Sequence, residues 1–248
     1  MKKVILLMSV LFLFSTKGHS QDSDRKGFTS INLGLSIPTG NFRSNNFSNS
    51  ESGYATTGLI FDITFGHKIL HNLGVTAIYR SQANGVNTGA YAQDLANYFG
   101  AGNPAGTTSV SVKSSVFSLG GIMVGLYGTF PIVDKLSFEP RVLVGFSAAT
   151  LPAMTTETYK SGTKITTFVR EQSASFAFSY IIGTEVKLDI SKKICLLLNI
   201  DFYAAKAEWE NVQEIGIGHI TGNTEIYKFD YSQKFSTFNL SAGLGFRF

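Results

Sequence analysis

Eight charged residues recur inside otherwise apolar, alternating segments, and they are the first candidates for chemistry. They comprise four acids and four bases, namely Asp62, Arg80, Glu139, Arg141, Glu185, Lys187, Asp201 and Arg247. An ionisable group in such a segment is costly unless it is paired. Two interpretations are open: ion pairs that fill a closed interior, or the polar lining of a narrow conduit. We favour the closed interior, in which these residues are structural rather than catalytic, because a narrow barrel leaves little free bore.

Three histidines outside the N-terminal segment are the other candidates. His67 and His71 lie four residues apart at a predicted turn, and His219 lies in the last long loop. No carboxylate or cysteine stands beside the first two, so we interpret them as polar turn residues and expect no metal. His219 is the one histidine available to a lipase-like or acyl-transfer site on the loop side. No nucleophile elbow or Ser-His-acid spacing accompanies it, so we predict no catalytic residues, no cofactor and no enzymatic activity.

The first twenty residues have the pattern of a secretory signal peptide. Lys2 and Lys3 precede an apolar run at residues 4–14, and the small residues Gly18 and Ser20 follow. The run is too short to cross a bilayer as a helix. We expect cleavage after Ser20 and export, which leaves residues 21–248 as one domain.

The net positive charge belongs largely to that N-terminal segment. Of 21 basic and 17 acidic residues, Lys2, Lys3 and Lys17 lie within it and no acid does. The remaining chain is nearly neutral, so its composition does not predict a nucleic-acid partner. Cys195 is the single cysteine, which excludes an intramolecular disulfide.

Eight segments alternate apolar and polar residues with the period of a β-strand. One face of each segment is almost free of charge, and the other face carries the charged residues described above. The predicted strands are residues 28–37, 57–66, 73–82, 110–130, 136–150, 173–190, 194–206 and 235–248. Within the fourth, an uncharged stretch at residues 115–133 has a G-x-x-x-G spacing typical of a membrane helix. Its several glycines and Pro131 make a poor helix, so we retain a strand with its glycines on the inward face.

Short and long connections alternate along the chain. The tight turns are residues 67–72, 131–135 and 189–193, and the long polar loops are residues 38–56, 83–109, 151–172 and 207–234. This alternation is typical of outer-membrane barrels. The sequence therefore predicts an all-β fold: an eight-stranded antiparallel transmembrane β-barrel with short periplasmic turns and long extracellular loops. We expect the apolar face to meet lipid, the charged face to fill the interior, and residues 235–248 to pair with residues 28–37.

Two of the long loops contain hairpin signals. Ser161-Gly162 and Gly222-Asn223 are turn dipeptides within residues 155–169 and 214–232. Strands are therefore expected to continue past the membrane as a protruding sheet, whose edge can bind a partner by strand addition. Equally open is the interpretation that these loops pack on one another and seal the mouth of the barrel.

A further loop predicts a short surface helix. Residues 89–102 place Tyr91, Leu95 and Tyr98 on one face, which we expect to point inward, and Gly100 is positioned to end the helix.

Aromatic residues cluster near the two predicted ends of the strands, where barrels carry interfacial girdles. Those near the turns are Phe65, Phe130, Phe138, Phe246 and Phe248, and those near the loops are Tyr79, Phe146, Tyr203, Trp209 and Tyr231.

On these features the chain resembles small bacterial outer-membrane barrels, in particular the PorT-like family, and its protruding form is similar to OmpX. The resemblance rests on the N-terminal segment ending HSQ, on LSIPTGNF at residues 35–42, on GLYGTFPIVDKLSFEP at residues 125–140, and on the final GLGFRF. It implies a location in the bacterial outer membrane and a structural, surface-binding or secretion-accessory role.

The resemblance also implies partners. Outer-membrane lipid and the barrel-assembly machinery are expected, with room for a protein partner at the extracellular loops. Leu244, Phe246 and Phe248 then form a C-terminal assembly signal. A narrow channel for small solutes, and with less support a lipid-acting enzyme, are the alternatives.

Overall fold

The computed structural model describes residues 26–100 and 108–248, which form an antiparallel sheet of twelve strands with two helices. The strands are β1 (Gly27–Pro38), β2 (Gly58–Leu70), β3 (Leu73–Asn84), β4 (Thr108–Ser114), β5 (Phe117–Gly128), β6 (Phe130–Val133), β7 (Leu136–Leu151), β8 (Met154–Lys160), β9 (Thr163–Arg170), β10 (Ser173–Asp189), β11 (Ile194–Gly218) and β12 (Thr224–Arg247). The helices are α1 (Gly40–Arg43) and α2 (Thr88–Gly100). The predicted signal peptide at residues 1–20 lies outside the described residues.

Eight of the strands pair in a closed cycle, which we call the ring. In order they are β1, β2, β3, β5, β7, β10, β11 and β12, each antiparallel to the next. The cycle closes because β12 pairs with β1, from Phe28 opposite Arg247 to Pro38 opposite Thr237. The predicted pairing of the C-terminal segment with residues 28–37 is therefore confirmed.

Buried and exposed side chains alternate along each strand of the ring, but the buried ones are mainly polar and the exposed ones mainly apolar. On β1, Ser30, Asn32 and Ser36 are buried, whereas Leu33 and Leu35 are exposed. Apolar and β-branched residues at every second position favour extended backbone. A sheet protein in water buries its apolar face instead. The ring thus encloses its polar side chains and turns its apolar side chains outward.

The predicted strand at residues 110–130 is wrong as a single element. Its first part is β4, which lies outside the ring and pairs with β8, and its second part is β5, a ring strand. Between them the Ser115 amide donates to the carbonyl of Ala153 at 2.9 Å, which turns the chain. The apolar alternation continues across this point, so only the long-range pairing of β4 distinguishes the two strands.

Four glycines of β5 divide between the two faces of the sheet. The buried face of β5 carries Leu119, Met123 and Tyr127, so Gly121 and Gly125 lie on it, as predicted. Gly120 and Gly128 lie on the opposite face, where the prediction of inward glycines is wrong.

A second group of strands continues from one end of the ring and is called the extension. It consists of β4, β8 and β9 together with the distal parts of β11 (residues 206–218) and β12 (residues 224–236), paired in the order β12, β11, β9, β8, β4. The two predicted hairpins are confirmed. Ser161 and Gly162 have φ values of 49° and 80°, and Gly222 has a φ of 72°, as tight hairpin turns require.

The predicted end of β11 at residue 206 is wrong, because the strand runs on to Gly218, as the predicted continuation of strands into a protruding sheet requires. Lys206, Glu208 and Glu210 give this region the composition of a loop, but they are the exposed half of a continuing alternation. Ala207 and Trp209 are the buried half, and pairing with β12 extends to Ile217 opposite Thr224.

Helix α2 packs beside β4 at the same end of the molecule. Leu95 is buried as predicted, but Tyr98 is 65% exposed, so its predicted inward orientation is wrong. Its ring lies against Phe47 and Phe99 near the surface instead, at centroid distances of 5.5 and 5.6 Å. Residues 101–102 of the predicted helix lie outside the described residues. None of the described helices combines the length and the apolar character needed to cross a membrane.

The main cluster of buried apolar residues includes the rings that lie where the ring of strands meets the extension. Phe42 of α1, Phe117 of β5 and Phe235 of β12 contact one another edge to face at 4.9–5.8 Å between centroids, and we call these three rings the aromatic plug. Trp209 packs against Phe235, and all of these side chains are buried.

Candidate functional site

The charged residues of the ring interior form one connected network, which begins at Arg80. Register places Asp62 of β2 directly opposite Arg80 of β3. The Arg80 guanidinium donates from Nε and Nη2 to the two carboxylate oxygens of Asp62 at 2.8 and 2.7 Å. The same Nη2 donates across the interior to Asp201 of β11 at 2.6 Å. Bidentate contacts of this kind fix both position and orientation of the side chains.

Asp201 joins this pair to a second arginine. Arg141 of β7 donates to both oxygens of Asp201, from Nε at 3.1 Å and from Nη2 at 2.8 Å. Its Nη1 donates to Glu185 of β10 at 3.2 Å. Asp201 of β11 therefore accepts from two guanidinium groups that belong to β3 and β7, which are separated in the ring by β5 alone.

Lys187 forms the third cationic centre of the network. Its ammonium donates to Glu139 at 2.6 Å and lies 3.3 Å from a carboxylate oxygen of Glu185. It also lies 3.9 Å from the centroid of the Phe28 ring, a favourable cation–π position. Glu185 contacts both Lys187 and Arg141, so it joins these two cations in one network.

Seven of the eight charged residues are thus brought together, and all seven are buried. Arg80 is 2% and Asp201 1% exposed, so both are almost fully shielded from water. Arg80 Nη1 and Glu185 Oε1 have no hydrogen-bond partner among the described residues, but both atoms are buried and neither faces a space open to a substrate. The arrangement serves to hold opposite walls of the ring together.

Arg247 is the member that the structure separates from the others. It pairs with Asp189 at 2.5 Å near the tight-turn end, with its side chain 29% exposed. Its position explains the difference, because residue 247 lies at the last register pair of β12, opposite Phe28.

Uncharged polar residues of the interior also form hydrogen bonds across the ring. Asn199 donates to Asn32 at 3.2 Å, and the Tyr203 hydroxyl donates to Ser147 at 3.1 Å. Each of these residues lies on the polar face of an alternating segment, so the sequence pattern predicts that it points inward but does not predict its partner.

Two members of the predicted loop-side girdle are wrong. Tyr203 and Trp209 are buried, because odd-numbered residues of β11 point into the molecule. Tyr79 and Phe146 of the loop side, and Phe65, Phe138, Phe246 and Phe248 of the turn side, are exposed.

The residues proposed as an assembly signal lie at the end of β12. Leu244, Phe246 and Phe248 are exposed on the outer face. The backbone of Phe248 exchanges two hydrogen bonds with Gly27, at 3.0 and 3.1 Å, which completes the pairing of the first and last strands.

The histidines occupy separate places. His67 lies in β2 and His71 in the turn that follows, whereas His219 lies at the tip of the extension, with its Nε2 2.8 Å from the Thr167 hydroxyl oxygen. Within residues 26–100 and 108–248, no group of three or more His, Cys, Asp and Glu side chains is arranged to hold a metal ion.

Comparison with known proteins gives likenesses among solved structures alone. No protein-family model and no curated protein matches the chain. The attachment invasion locus protein Ail of Yersinia pestis is 15% identical, with a TM-score of 0.40 over 90% of this chain and 99% of that one. A major outer membrane protein from Thermus thermophilus is 11% identical, with a TM-score of 0.46 over 90% and 99%. The outer membrane protease OmpT from Escherichia coli is 10% identical, with a TM-score of 0.44 over 94% and 100%.

These neighbours are outer-membrane proteins of varied kinds. With TM-scores below 0.5, the likenesses by themselves carry no conclusion about this chain. The resemblance to PorT-like proteins and to OmpX stays a prediction.

Proposed function

We propose that this chain is a non-enzymatic β-barrel of the bacterial outer membrane, with a structural or surface-binding role. The eight-stranded ring spans the bilayer, and the extension stands outside the cell. The observation that carries the proposal is the inverted burial of the ring, which seals charges inside and leaves apolar side chains outside.

The apolar outer face is continuous around the ring. Every ring strand contributes to it, for example through Leu33, Leu59, Tyr79, Ile122, Phe146, Phe178, Ile200 and Leu244. Leaving one such side chain in water rather than burying it costs about 1.5–3 kcal/mol. A belt of this extent is therefore unfavourable in water and favourable in the hydrocarbon of a bilayer.

The closed pairing of the ring strands also supports a location in the bilayer. In lipid an unpaired strand edge would leave amide and carbonyl groups without partners, so only a closed set of strands is tolerated. The ring strands β1, β2, β3 and β5 contain 12 or 13 residues each, enough for a tilted membrane crossing of about 9–11 residues.

The ends of the ring differ in a way that indicates orientation. The connections at residues 71–72, 134–135 and 190–193 are short and lie at one end, and the extension continues from the other. Outer-membrane barrels keep short turns in the periplasm and long connections outside the cell. We therefore place the extension on the cell surface, where its strands are available to a partner.

A narrow channel is the alternative that the geometry disfavours. Water-lined pores expose their polar side chains to the lumen, whereas the network residues here are buried. Above the network, the aromatic plug fills the end of the ring nearest the extension. A role as a lipid-acting enzyme would rest on His219, whose described partner is the hydroxyl of Thr167.

Electrophoresis and conductance test the proposal together. Refolded protein is expected to migrate faster unboiled than boiled, because a paired ring resists detergent, and to give no steady conductance in planar bilayers. Identical mobility in the two samples would contradict the barrel. A stable conductance that is lost in Arg80→Gln would replace the closed interior with the channel.

A further inference from the structure

A pocket of about 180 Å³ opens at the outer end of the molecule, between the 44–54 loop, α2 and the extension. We call it the mouth pocket, and its defining residues are Phe47, Asn49, Tyr54, Tyr91, Arg170 and Tyr231. It lies beyond the aromatic plug and is separate from the interior network. Its existence depends on the geometry of the loops and the extension and not on the membrane placement proposed above.

Arg170 gives the pocket a positive charge that forms no salt bridge among the described residues. Its Nε is buried and has no hydrogen-bond partner, and its Nη2 reaches the carbonyl of Pro152 at a long 3.4 Å. Its guanidinium carbon lies 6.0 Å from the Tyr231 ring centroid. A buried guanidinium nitrogen without an acceptor is costly, and an anionic ligand would remove that cost.

None of the neighbouring carboxylates forms a salt bridge with Arg170 among the described residues. Glu51 pairs with Lys234, and Asp94 accepts a hydrogen bond from the Tyr54 hydroxyl at 2.8 Å. Glu214 lies opposite Arg170 in the β9–β11 register and attracts its charge, but burial outweighs this attraction and raises the pKa of Glu214. None of the described residues that line the pocket is acidic.

The walls of the pocket suit a small polar ring. Tyr54 and Tyr91 meet edge to face at 5.1 Å, and Phe47 lies 6.5 Å from Tyr91, so the aromatic walls stand at angles to one another. The Tyr91 hydroxyl is a donor at neutral pH, and burial raises its pKa further above the ordinary value. Asn49 accepts from the Glu51 amide at 3.0 Å and donates to Asn41 at 3.4 Å, so one N–H of its side-chain amide remains for a ligand, and the serines beside it supply further polar groups. The pocket has room for several water molecules and is large enough to admit one sugar ring.

We propose that the mouth pocket binds an acidic monosaccharide unit of the uronic acid type. Arg170 binds its carboxylate, the aromatic walls contact the apolar face of its ring, and Asn49 bonds its hydroxyl groups. The unit can be a free sugar acid or the end of a glycan chain, because both present the same chemistry.

The chain carries its own reporter for this site. Trp209 is the single tryptophan of the sequence, and its ring lies 5.9 Å from that of Tyr231, which lines the pocket. A ligand that displaces water or shifts Tyr231 is therefore expected to change the Trp209 fluorescence.

The test is a titration of the refolded full chain, followed by Trp209 fluorescence and by calorimetry. Glucuronate is expected to bind saturably, with glucose and acetate at least tenfold weaker. Arg170→Gln should weaken the binding of glucuronate at least tenfold. Arg43→Gln changes an exposed arginine outside the pocket and should leave this binding unchanged.

An oligosaccharide ending in glucuronate tests whether the natural ligand is a glycan end or a free sugar acid. Binding at least as tight as that of the free acid supports a glycan end, and weaker binding supports a free sugar acid.

Three results would overturn the proposal: no saturable binding of glucuronate, equal binding in Arg170→Gln, or acetate binding as tightly as glucuronate. Heat-modifiable mobility of each variant shows whether it has folded. If Arg170→Gln does not fold, Tyr91→Leu provides a second test. Loss of the Tyr91 ring should weaken the binding of glucuronate but leave the binding of acetate unchanged. Unaltered glucuronate binding in that variant would equally contradict the site.

Discussion

At the scale of the residue, Asp201 is the carboxylate that joins the two arginines of the interior network. It accepts hydrogen bonds across the interior from Arg80 of β3 and from Arg141 of β7. Asp189 makes a comparable contact with Arg247 at the turn end, but both side chains there are more than a quarter exposed. The two carboxylates therefore form a matched pair that differs chiefly in burial.

We expect Asp201→Asn to lower the free energy of unfolding by about 3–5 kcal/mol, because it leaves two buried guanidinium groups with one fewer negative partner. Asp189→Asn should lower it by about 0–1 kcal/mol, since water screens a partly exposed pair. Urea unfolding of both variants in lipid vesicles measures the difference. Equal losses would show that the network does not stabilise the interior.

The sequence placed these charges on the correct face but did not assign their partners. A charge that recurs within an apolar alternation has to face away from the apolar side, and this applies to Asp62, Arg80 and Asp201 alike. The contact between Arg80 and Asp201 joins residues 121 positions apart, and it depends on how the sheet closes. Arg247 follows the same alternation, yet its position near the end of the ring removes it from the network.

At the scale of the element, period-two patterning found the ring strands and missed where β5 and β11 begin or end. Neither boundary is marked by a break in alternation, because β4 and the distal part of β11 are strands as well. Turn chemistry was more informative, since Ser161-Gly162 and Gly222 adopt the positive φ that hairpin turns need. The glycines of β5 show that the apolar–polar pattern does not predict how closely neighbouring strands approach each glycine. A Cβ at Gly125 would overlap the carbonyl oxygen of Val142, whereas one at Gly120 meets nothing within 4 Å.

Gly125→Ala is expected to destabilise the folded chain by about 1–3 kcal/mol, because β5 and β7 must separate to admit the methyl group. Gly120→Ala in the same strand should leave the stability unchanged or raise it by up to about 1 kcal/mol, since it reduces the freedom of the unfolded chain. Thermal or urea unfolding of the two variants provides the comparison. A Gly125→Ala protein as stable as Gly120→Ala would refute the close approach of these strands.

At the scale of the whole molecule, one sheet has two parts, the ring and the extension, whose outer surfaces differ in polarity. The ring exposes apolar side chains on all sides, and the extension exposes charged residues such as Lys206 and Glu208 together with isolated apolar ones. Ile122 lies in the middle of β5 in the ring, and Ile226 lies on β12 in the extension, and both are 63% exposed. Two isoleucines of equal exposure are thus placed in lipid and in water, respectively, by the proposed membrane arrangement.

Replacing each of these isoleucines with arginine tests the membrane placement most directly. We expect Ile122→Arg to lower the free energy of unfolding from lipid vesicles by about 2–4 kcal/mol, the cost of a cation on the lipid face of a barrel near the bilayer midplane. Ile226→Arg should change it by no more than about 0.5 kcal/mol, as expected of an exposed position in water. Equal and small effects at both positions would show that the apolar belt of the ring does not face lipid, and would contradict the account.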